Sequence, residues 1–202
     1  MRKGMVIDLR RCIGCNACTL ACKQEKGTPP GVQYCKVPTY ERGEYPNTRF
    51  EYLPLLCMHC DDPPCEAVCP TGATYIREDG VVAVDTEKCI GCRYCMAACP
   101  YNARYFSFTE PQAYHEEQGK NAYEEAMESE HPVGVVQKCD LCYQRTEEGE
   151  QPACVAACPP SARIFGDLDD PESEVSKLVA ERNGYQLHPE AGTDPSVFYL
   201  SE

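Results

Sequence analysis

Apolar residues in this chain fall into short runs broken by Pro, Gly and Cys, and those runs predict only short elements. Met5-Val6-Ile7-Asp8 reads as a strand, and Arg163-Ile164-Phe165-Gly166 as another far along the chain. Between them, Thr74-Tyr75-Ile76-Arg77 and Val81-Val82-Ala83-Val84-Asp85 flank Glu78-Asp79-Gly80, which predicts a hairpin around an Asp-Gly turn. Helical signals are fewer. Asp170-Pro171 can cap and start a helix over residues 172–182. Residues 112–130 hold a second candidate helix. The last apolar run, Val197-Phe198-Tyr199-Leu200, predicts a docked tail whose removal weakens a complex. No run of eighteen apolar residues occurs, so no membrane-spanning helix is expected. The start, Met1-Arg2-Lys3-Gly4-Met5-Val6, has neither a long apolar segment nor a twin-Arg pair, so no export signal is expected.

Composition changes this picture. Leu, Ile, Val and Phe supply only 34 of 202 residues, and the formal charge is -13. Low apolar content with high net charge ordinarily predicts disorder. The acidic balance also argues against nucleic acid as a partner, since phosphate binding needs clustered Lys and Arg. Seventeen cysteines reverse the disorder prediction, because metal-binding free energy becomes folding free energy in a chain with a thin core. The metal-free chain is therefore expected to be largely unfolded.

Sixteen of those cysteines form four groups of four: Cys12/Cys15/Cys18/Cys22, Cys57/Cys60/Cys65/Cys69, Cys89/Cys92/Cys95/Cys99 and Cys139/Cys142/Cys154/Cys158. Disulfides suit secreted chains with scattered cysteines, and these crowd at spacings of two. Structural zinc recruits Cys-x2-Cys pairs from two distant places, a pattern that the second and fourth groups could follow alone. The first and third groups cannot. Each places three ligands within seven residues, wrapping three corners of a cubane while the following Cys goes elsewhere. Four thiolates hold one [4Fe–4S] cluster, so the count predicts four clusters and a chain that moves electrons. Each oxidised cluster with its thiolates adds about -2, which would bring the loaded protein to about -21.

Neighbouring residues fit that chemistry. Cys69-Pro70, Cys99-Pro100 and Cys158-Pro159 end their groups with a residue that turns the chain away after its last ligand. Cys22-Lys23 departs, and its helix is expected to continue through Gln24-Glu25-Lys26. One helical turn sets each third and fourth Cys about 5–6 Å apart, so two neighbouring clusters can each take one. Arg11, Lys88 and Lys138 precede the first Cys of three groups, where a cation either offsets cluster charge or is simply solvated.

The chain also repeats itself. Groups one and three superpose at a constant offset of 77, and groups two and four match with seven extra residues inside the latter. Only 19 residues separate Cys69 from Cys89, against 34 between Cys22 and Cys57 and 39 between Cys99 and Cys139. Groups two and three thus predict one compact unit over 53–103. Groups one and four predict another over 1–52 plus 104–168, and 169–202 is left as a C-terminal helix and tail. The expected fold class is α+β, a duplicated bacterial ferredoxin-like arrangement of two two-cluster modules with a C-terminal extension. With the fourth Cys crossing over in each module, the expected ligand sets are Cys12/Cys15/Cys18/Cys158, Cys139/Cys142/Cys154/Cys22, Cys57/Cys60/Cys65/Cys99 and Cys89/Cys92/Cys95/Cys69.

Beyond its cysteines, the chain resembles the four-cluster iron–sulfur subunits of dimethyl sulfoxide reductase-type molybdoenzymes, especially those of polysulfide, thiosulfate and arsenate reductases. The resemblance covers nearly the whole chain. It is carried by Met5-Val6-Ile7-Asp8 before Cys12-Ile13-Gly14-Cys15, by Cys65-Glu66-Ala67-Val68-Cys69-Pro70-Thr71-Gly72-Ala73, and by the tail around Phe165-Gly166-Asp167-Leu168-Asp169-Asp170-Pro171. It implies a non-catalytic relay passing single electrons between a molybdopterin-containing catalytic subunit and a quinone-linked integral membrane anchor or other carrier. It also implies export together with the catalytic partner, and so a place on the outer face of the cytoplasmic membrane. The alternative is a soluble polyferredoxin of a cytoplasmic hydrogenase or formate dehydrogenase.

Few residues lie outside this scheme. Cys35 reads as a buried free thiol. His59 reads either as an N–H donor to a cluster sulfur or as a structural histidine. His115, His131 and His188 have no supporting constellation. Residues 109–131 hold seven Glu and one Lys and read as a solvated excursion, with a partner-docking loop as the functional alternative.

Overall fold

The longest ladder runs through a three-stranded sheet whose middle strand, β1 (Lys3–Asp8), is buried along its whole length. The computed structural model describes residues 1–201. β8 (Arg163–Asp167) pairs antiparallel with β1, and β9 (Val197–Leu200) pairs parallel on its other edge, so Met5 stands opposite both Phe165 and Val197. Burial on both faces explains why Met5-Val6-Ile7 is a continuous apolar run rather than an alternating one. Val6 faces Ile164, Leu200 and Val175, the last from helix α7 (Glu174–Glu181). Met5 and Ile7 face the cysteine-rich core.

The expected hairpin is present. β4 (Thr74–Ile76) pairs antiparallel with β5 (Val82–Val84), with Gly80 at positive φ in the turn. Two ladders were not expected: β2 (Thr39–Arg42) with β3 (Arg49–Tyr52), and β6 (Tyr105–Phe106) with β7 (Val136–Gln137). The first is nearly all exposed and so lacks a one-sided apolar pattern. The second is only two residues long and closes the base of the 109–131 excursion.

The remaining helices are short. α1 (Ala17–Lys26) runs through Gln24-Glu25-Lys26 and stops at Gly27, in a left-handed conformation. α2 (Pro64–Ala67), α3 (Tyr94–Ala98), α5 (Tyr143–Glu147) and α6 (Ala153–Ala156) are single turns beside cysteines. α4 (Ala122–Met127) is the helical part of the acidic excursion, fixed by a capping box of Asn121 and Glu124, and no residue in it is buried. The excursion is nevertheless tied to α1. Tyr114 donates its hydroxyl to the Thr28 carbonyl at 2.8 Å, Tyr123 donates to the Gln24 carbonyl, and buried His131 reaches the Lys26 carbonyl at 2.7 Å.

The C-terminal tail corrects one expectation. Its docking partner is the chain's own β1, and Val197, Tyr199 and Leu200 are fully buried. The Tyr199 hydroxyl donates to the Pro54 carbonyl at 2.8 Å, and the Ser196 N–H to the Met58 carbonyl at 2.9 Å. Clipping it would open the core rather than spare the metal centres. One apolar cluster runs through Met5, Ile7, Leu56, Met58, Val81, Leu141 and Tyr199, so residues on both sides of the expected 53–103 boundary share it.

Candidate metal centres

The first Cys-x-x-Cys turn of each group reverses direction at its third residue. Gly14, His59, Gly91 and Leu141 occupy equivalent positions and all have positive φ, at 67°, 44°, 70° and 52°. That left-handed step points both flanking cysteines into one space. Glycine adopts it without steric cost, whereas His59 and Leu141 need burial to hold it. Both are almost wholly buried.

Short helices deliver the rest. α1 carries Cys18 and Cys22 one turn apart and packs against α6, which carries Cys154 just before Cys158. α2 carries Cys65 just before Cys69 and packs against α3, which carries Cys95 with Cys99 at its end. Three cavities result. The first is lined by Cys12, Cys15, Cys18 and Cys158, the second by Cys57, Cys60, Cys65 and Cys99, and the third by Cys69, Cys89, Cys92 and Cys95. The three are alike in size, at about 20 Å³ each, and their remaining walls are mostly apolar, with prolines at the first two. Equal size and lining call for the same occupant in each.

The last four cysteines, Cys22, Cys139, Cys142 and Cys154, are all buried. Burial, followed by the charges of Cys154 and Cys142, pushes the Cys22 thiol up to about 12. Burial likewise pushes Cys142 up to about 11 and Cys60 up to about 12. Such thiols stay neutral near pH 7 unless a bound cation holds them as thiolates, so loading metal releases protons.

All seventeen cysteines are free thiols. Among the described residues no three His, Cys, Asp or Glu side chains converge closely enough to hold a single metal ion. Sulfurs spread around a cavity fit a polynuclear group that meets each thiolate at its own corner, and they do not fit one zinc. Donors already address several of them. The N–H groups of Thr74, Leu141 and Ala162 point at the sulfurs of Cys69, Cys139 and Cys158 at 3.4, 3.4 and 3.2 Å.

The structure also singles out residues that the sequence pattern did not mark. Arg104 is buried and donates from Nη2 to Cys65 Sγ at 2.9 Å and from Nη1 to Thr74 Oγ1 at 3.0 Å. Arg163 is buried and donates from Nη2 to Cys35 Sγ at 3.1 Å. A signal was available: Cys99-Pro100-Tyr101-Asn102-Ala103-Arg104 and Cys158-Pro159-Pro160-Ser161-Ala162-Arg163 place an arginine five residues after the last Cys of two groups. Of the three cations that precede a group, Lys138 alone is buried, its ammonium on the carbonyls of Val82 and Cys139. Lys88 is exposed and pairs with Asp85 at 2.8 Å, and Arg11 is half-exposed near Asp8.

Cys35 is buried and lies beside Cys18 without lining its cavity. The His59 ring accepts the Val82 N–H at Nδ1, 3.2 Å, which places its proton on Nε2. Nε2 is fully buried and has no protein partner among the described residues. His131 has a constellation after all, linking the Lys26 carbonyl to Gln137, which also receives the Tyr34 hydroxyl. His115 and His188 lie outside the cavity linings, and His188 pairs with Glu190 at 3.0 Å.

Against known families, models of 4Fe-4S dicluster domains match residues 11–73, 48–115 and 112–168. The chain belongs to the 4Fe-4S dicluster family. This dicluster protein is 45% identical to a selenate reductase subunit of Mesobacillus selenatarsenatis, over 98% of its own length and 71% of that protein. It is 40% identical to the arsenate respiratory reductase iron-sulfur subunit of a Shewanella species, over 99% and 96%. It is 43% identical to a sulfite dehydrogenase subunit of Allochromatium vinosum, over 97% and 81%. Within the dicluster family it therefore sits with the electron-transferring iron–sulfur subunits of dimethyl sulfoxide reductase-type molybdoenzymes. No helix among the described residues is long and apolar enough to cross a membrane.

Proposed function

We propose that this chain carries four [4Fe–4S] clusters and relays single electrons between a molybdopterin-bearing catalytic subunit and a second carrier. Three cysteine-lined cavities of matching size carry the reading. We number the sites by group: I is Cys12/Cys15/Cys18/Cys158, II is Cys57/Cys60/Cys65/Cys99, III is Cys89/Cys92/Cys95/Cys69, and IV is Cys139/Cys142/Cys154/Cys22. Sites I and IV share α1 and α6, and sites II and III share α2 and α3. Sites IV and II adjoin through Cys139 and Cys57, each buried and within electrostatic reach of the other. The relay then runs I–IV–II–III, and its outer members carry the two exposed cysteines, Cys15 and Cys92. Each terminus is thus open to a docked partner.

The duplicated plan follows. Residues 1–52 with 104–168 hold sites I and IV, residues 53–103 hold sites II and III, and the segment after 168 is an extension that closes the central sheet. The substrate chemistry belongs to the catalytic partner. A quinone-linked membrane subunit is the fitting second carrier, with the assembly on the outer face of the cytoplasmic membrane. Anaerobic purification with iron and sulfide analysis tests the reading: about sixteen Fe per chain is expected. Dithionite should produce interacting S = 1/2 EPR signals, and a molybdenum protein should co-purify. A colourless protein with stoichiometric zinc would overturn the cluster assignment, and a co-purifying hydrogenase would overturn the partner.

A further inference from the structure

Four lysine and arginine side chains are buried in this acidic protein: Lys3, Arg104, Lys138 and Arg163. Lys3 is neutralised in the ordinary way, by Asp79 at 2.7 Å. The other three, at 3%, 7% and 3% exposure, have no carboxylate partner among the described residues. A buried cation without a counter-charge is strongly unfavourable. Arg104 donates to Cys65 Sγ, Arg163 to Cys35 Sγ and Lys138 to two backbone carbonyls, so none of the three touches a carboxylate and each stands against the cysteine-lined sites.

Their positions are the gaps of the relay. Arg163 lines the site I cavity and interacts with both Cys18 of site I and Cys154 of site IV. Lys138 rests on the Cys139 carbonyl at 2.7 Å, in site IV, and its charge acts on Cys57 and Cys65 of site II. Arg104 lines the site II cavity, donates to Cys65, and interacts with Cys95 of site III. Each arginine's charge acts on the third cysteines of two groups, Cys18 and Cys154 for Arg163 and Cys65 and Cys95 for Arg104.

We propose that Arg163, Lys138 and Arg104 are potential-setting residues, one buried cation in each gap of the I–IV–II–III order. The inference rests on the four-cluster reading above. A reduced cluster carries one more negative charge than an oxidised one, so an electron arriving at one site repels the next. A cation between two sites favours the reduced form of both and screens that repulsion. It raises both potentials and keeps the electron from being expelled from the middle of the chain.

The test is an EPR-monitored redox titration of the holoprotein, with Cys15→Ser and Cys92→Ser used to identify the signals of sites I and III. Arg104→Gln should lower the potentials of sites II and III alone. Lys138→Gln should lower II and IV, and Arg163→Gln I and IV. At the poise where the wild-type cluster is half reduced, the reduced-to-oxidised ratio should fall about tenfold, which is 59 mV for one electron. Arg104→Lys and Arg163→Lys keep the charge and should keep wild-type potentials. Unchanged potentials in an iron-complete Gln variant, or an equal shift at all four sites, would overturn the proposal. If a Gln variant loses a cluster, the charge-keeping variant (Arg104→Lys, Arg163→Lys or Lys138→Arg) decides: wild-type iron and potentials support the charge, and an equal loss of iron overturns it. A failure of the four-cluster reading itself shows up separately, as an iron deficit in the wild type before any substitution.

Discussion

The left-handed residue inside the first Cys-x-x-Cys turn of each group shows how a single backbone choice sets a metal centre. At Gly91 the choice is doubly constrained, since φ is +70° and an added Cβ would stand 2.3 Å from the Gly134 carbonyl oxygen. Gly91→Ala should therefore cost site III while leaving the others, with a loss of about four irons per chain and no change in the spectral signature of site I. Gly14 and Gly91 could be read directly from the repeated Cys-Ile-Gly-Cys. His59 and Leu141 could not, because neither residue type announces positive φ, and both hold it in the buried core. The arginines were hidden for a related reason. A lone Arg in sequence looks solvated, and only its recurrence five residues after the last Cys of two groups sets it apart.

Elements were legible where a local pattern dictated them. The Asp-Gly turn and its flanking apolar runs specify the β4–β5 hairpin without help from elsewhere, whereas the last helix starts later than the expected Asp170-Pro171 cap, with Ser173 capping α7. Long-range pairings were less legible. β9 is four residues of ordinary apolar sequence, and nothing within it says that it lies parallel to a strand almost two hundred residues away. Truncation before Val197 tests its weight. Each of Val197, Tyr199 and Leu200 contributes on the order of 1.5–3 kcal/mol through burial, against a typical domain stability of about 5–15 kcal/mol. The shortened chain should lose its visible absorbance and its cooperative thermal transition together. A truncated protein that keeps its full iron content would show that the strand is dispensable. His131 makes the same point for the excursion. His131→Ala leaves the Lys26 carbonyl and Gln137 short of a partner, at about 1–3 kcal/mol, and should increase proteolysis within residues 109–131 without altering iron content.

For the molecule as a whole, most of what looked like disorder in the composition is core built from cysteine. Cys18, Cys22, Cys57, Cys60, Cys139 and Cys154 are members of the main apolar cluster, alongside Met5, Ile7 and Tyr199. Removing the metal would leave those thiols around empty space, with buried arginines deprived of their counter-charge. Anaerobic chelation under reducing conditions should therefore abolish the far-UV circular dichroism of the folded state along with the colour. A metal-free protein that retained a cooperative unfolding transition would contradict this. The grouping of sixteen cysteines into four sets was readable from spacing alone. The sharing of one core across both halves was not, because Leu56, Met58 and Val81 carry no mark of the neighbours they meet.

The place of β1 between β8 and β9 also has a consequence for biogenesis. The ribosome releases Cys12, Cys15 and Cys18 early, but Cys158 emerges far later, and the strand that finishes the sheet follows it. Cys57 to Cys99, by contrast, emerge as one continuous stretch. On the proposed ligand sets, sites II and III can be filled while the nascent chain is still tethered, whereas the first three thiols must wait, reduced and guarded from oxygen, until translation is nearly over.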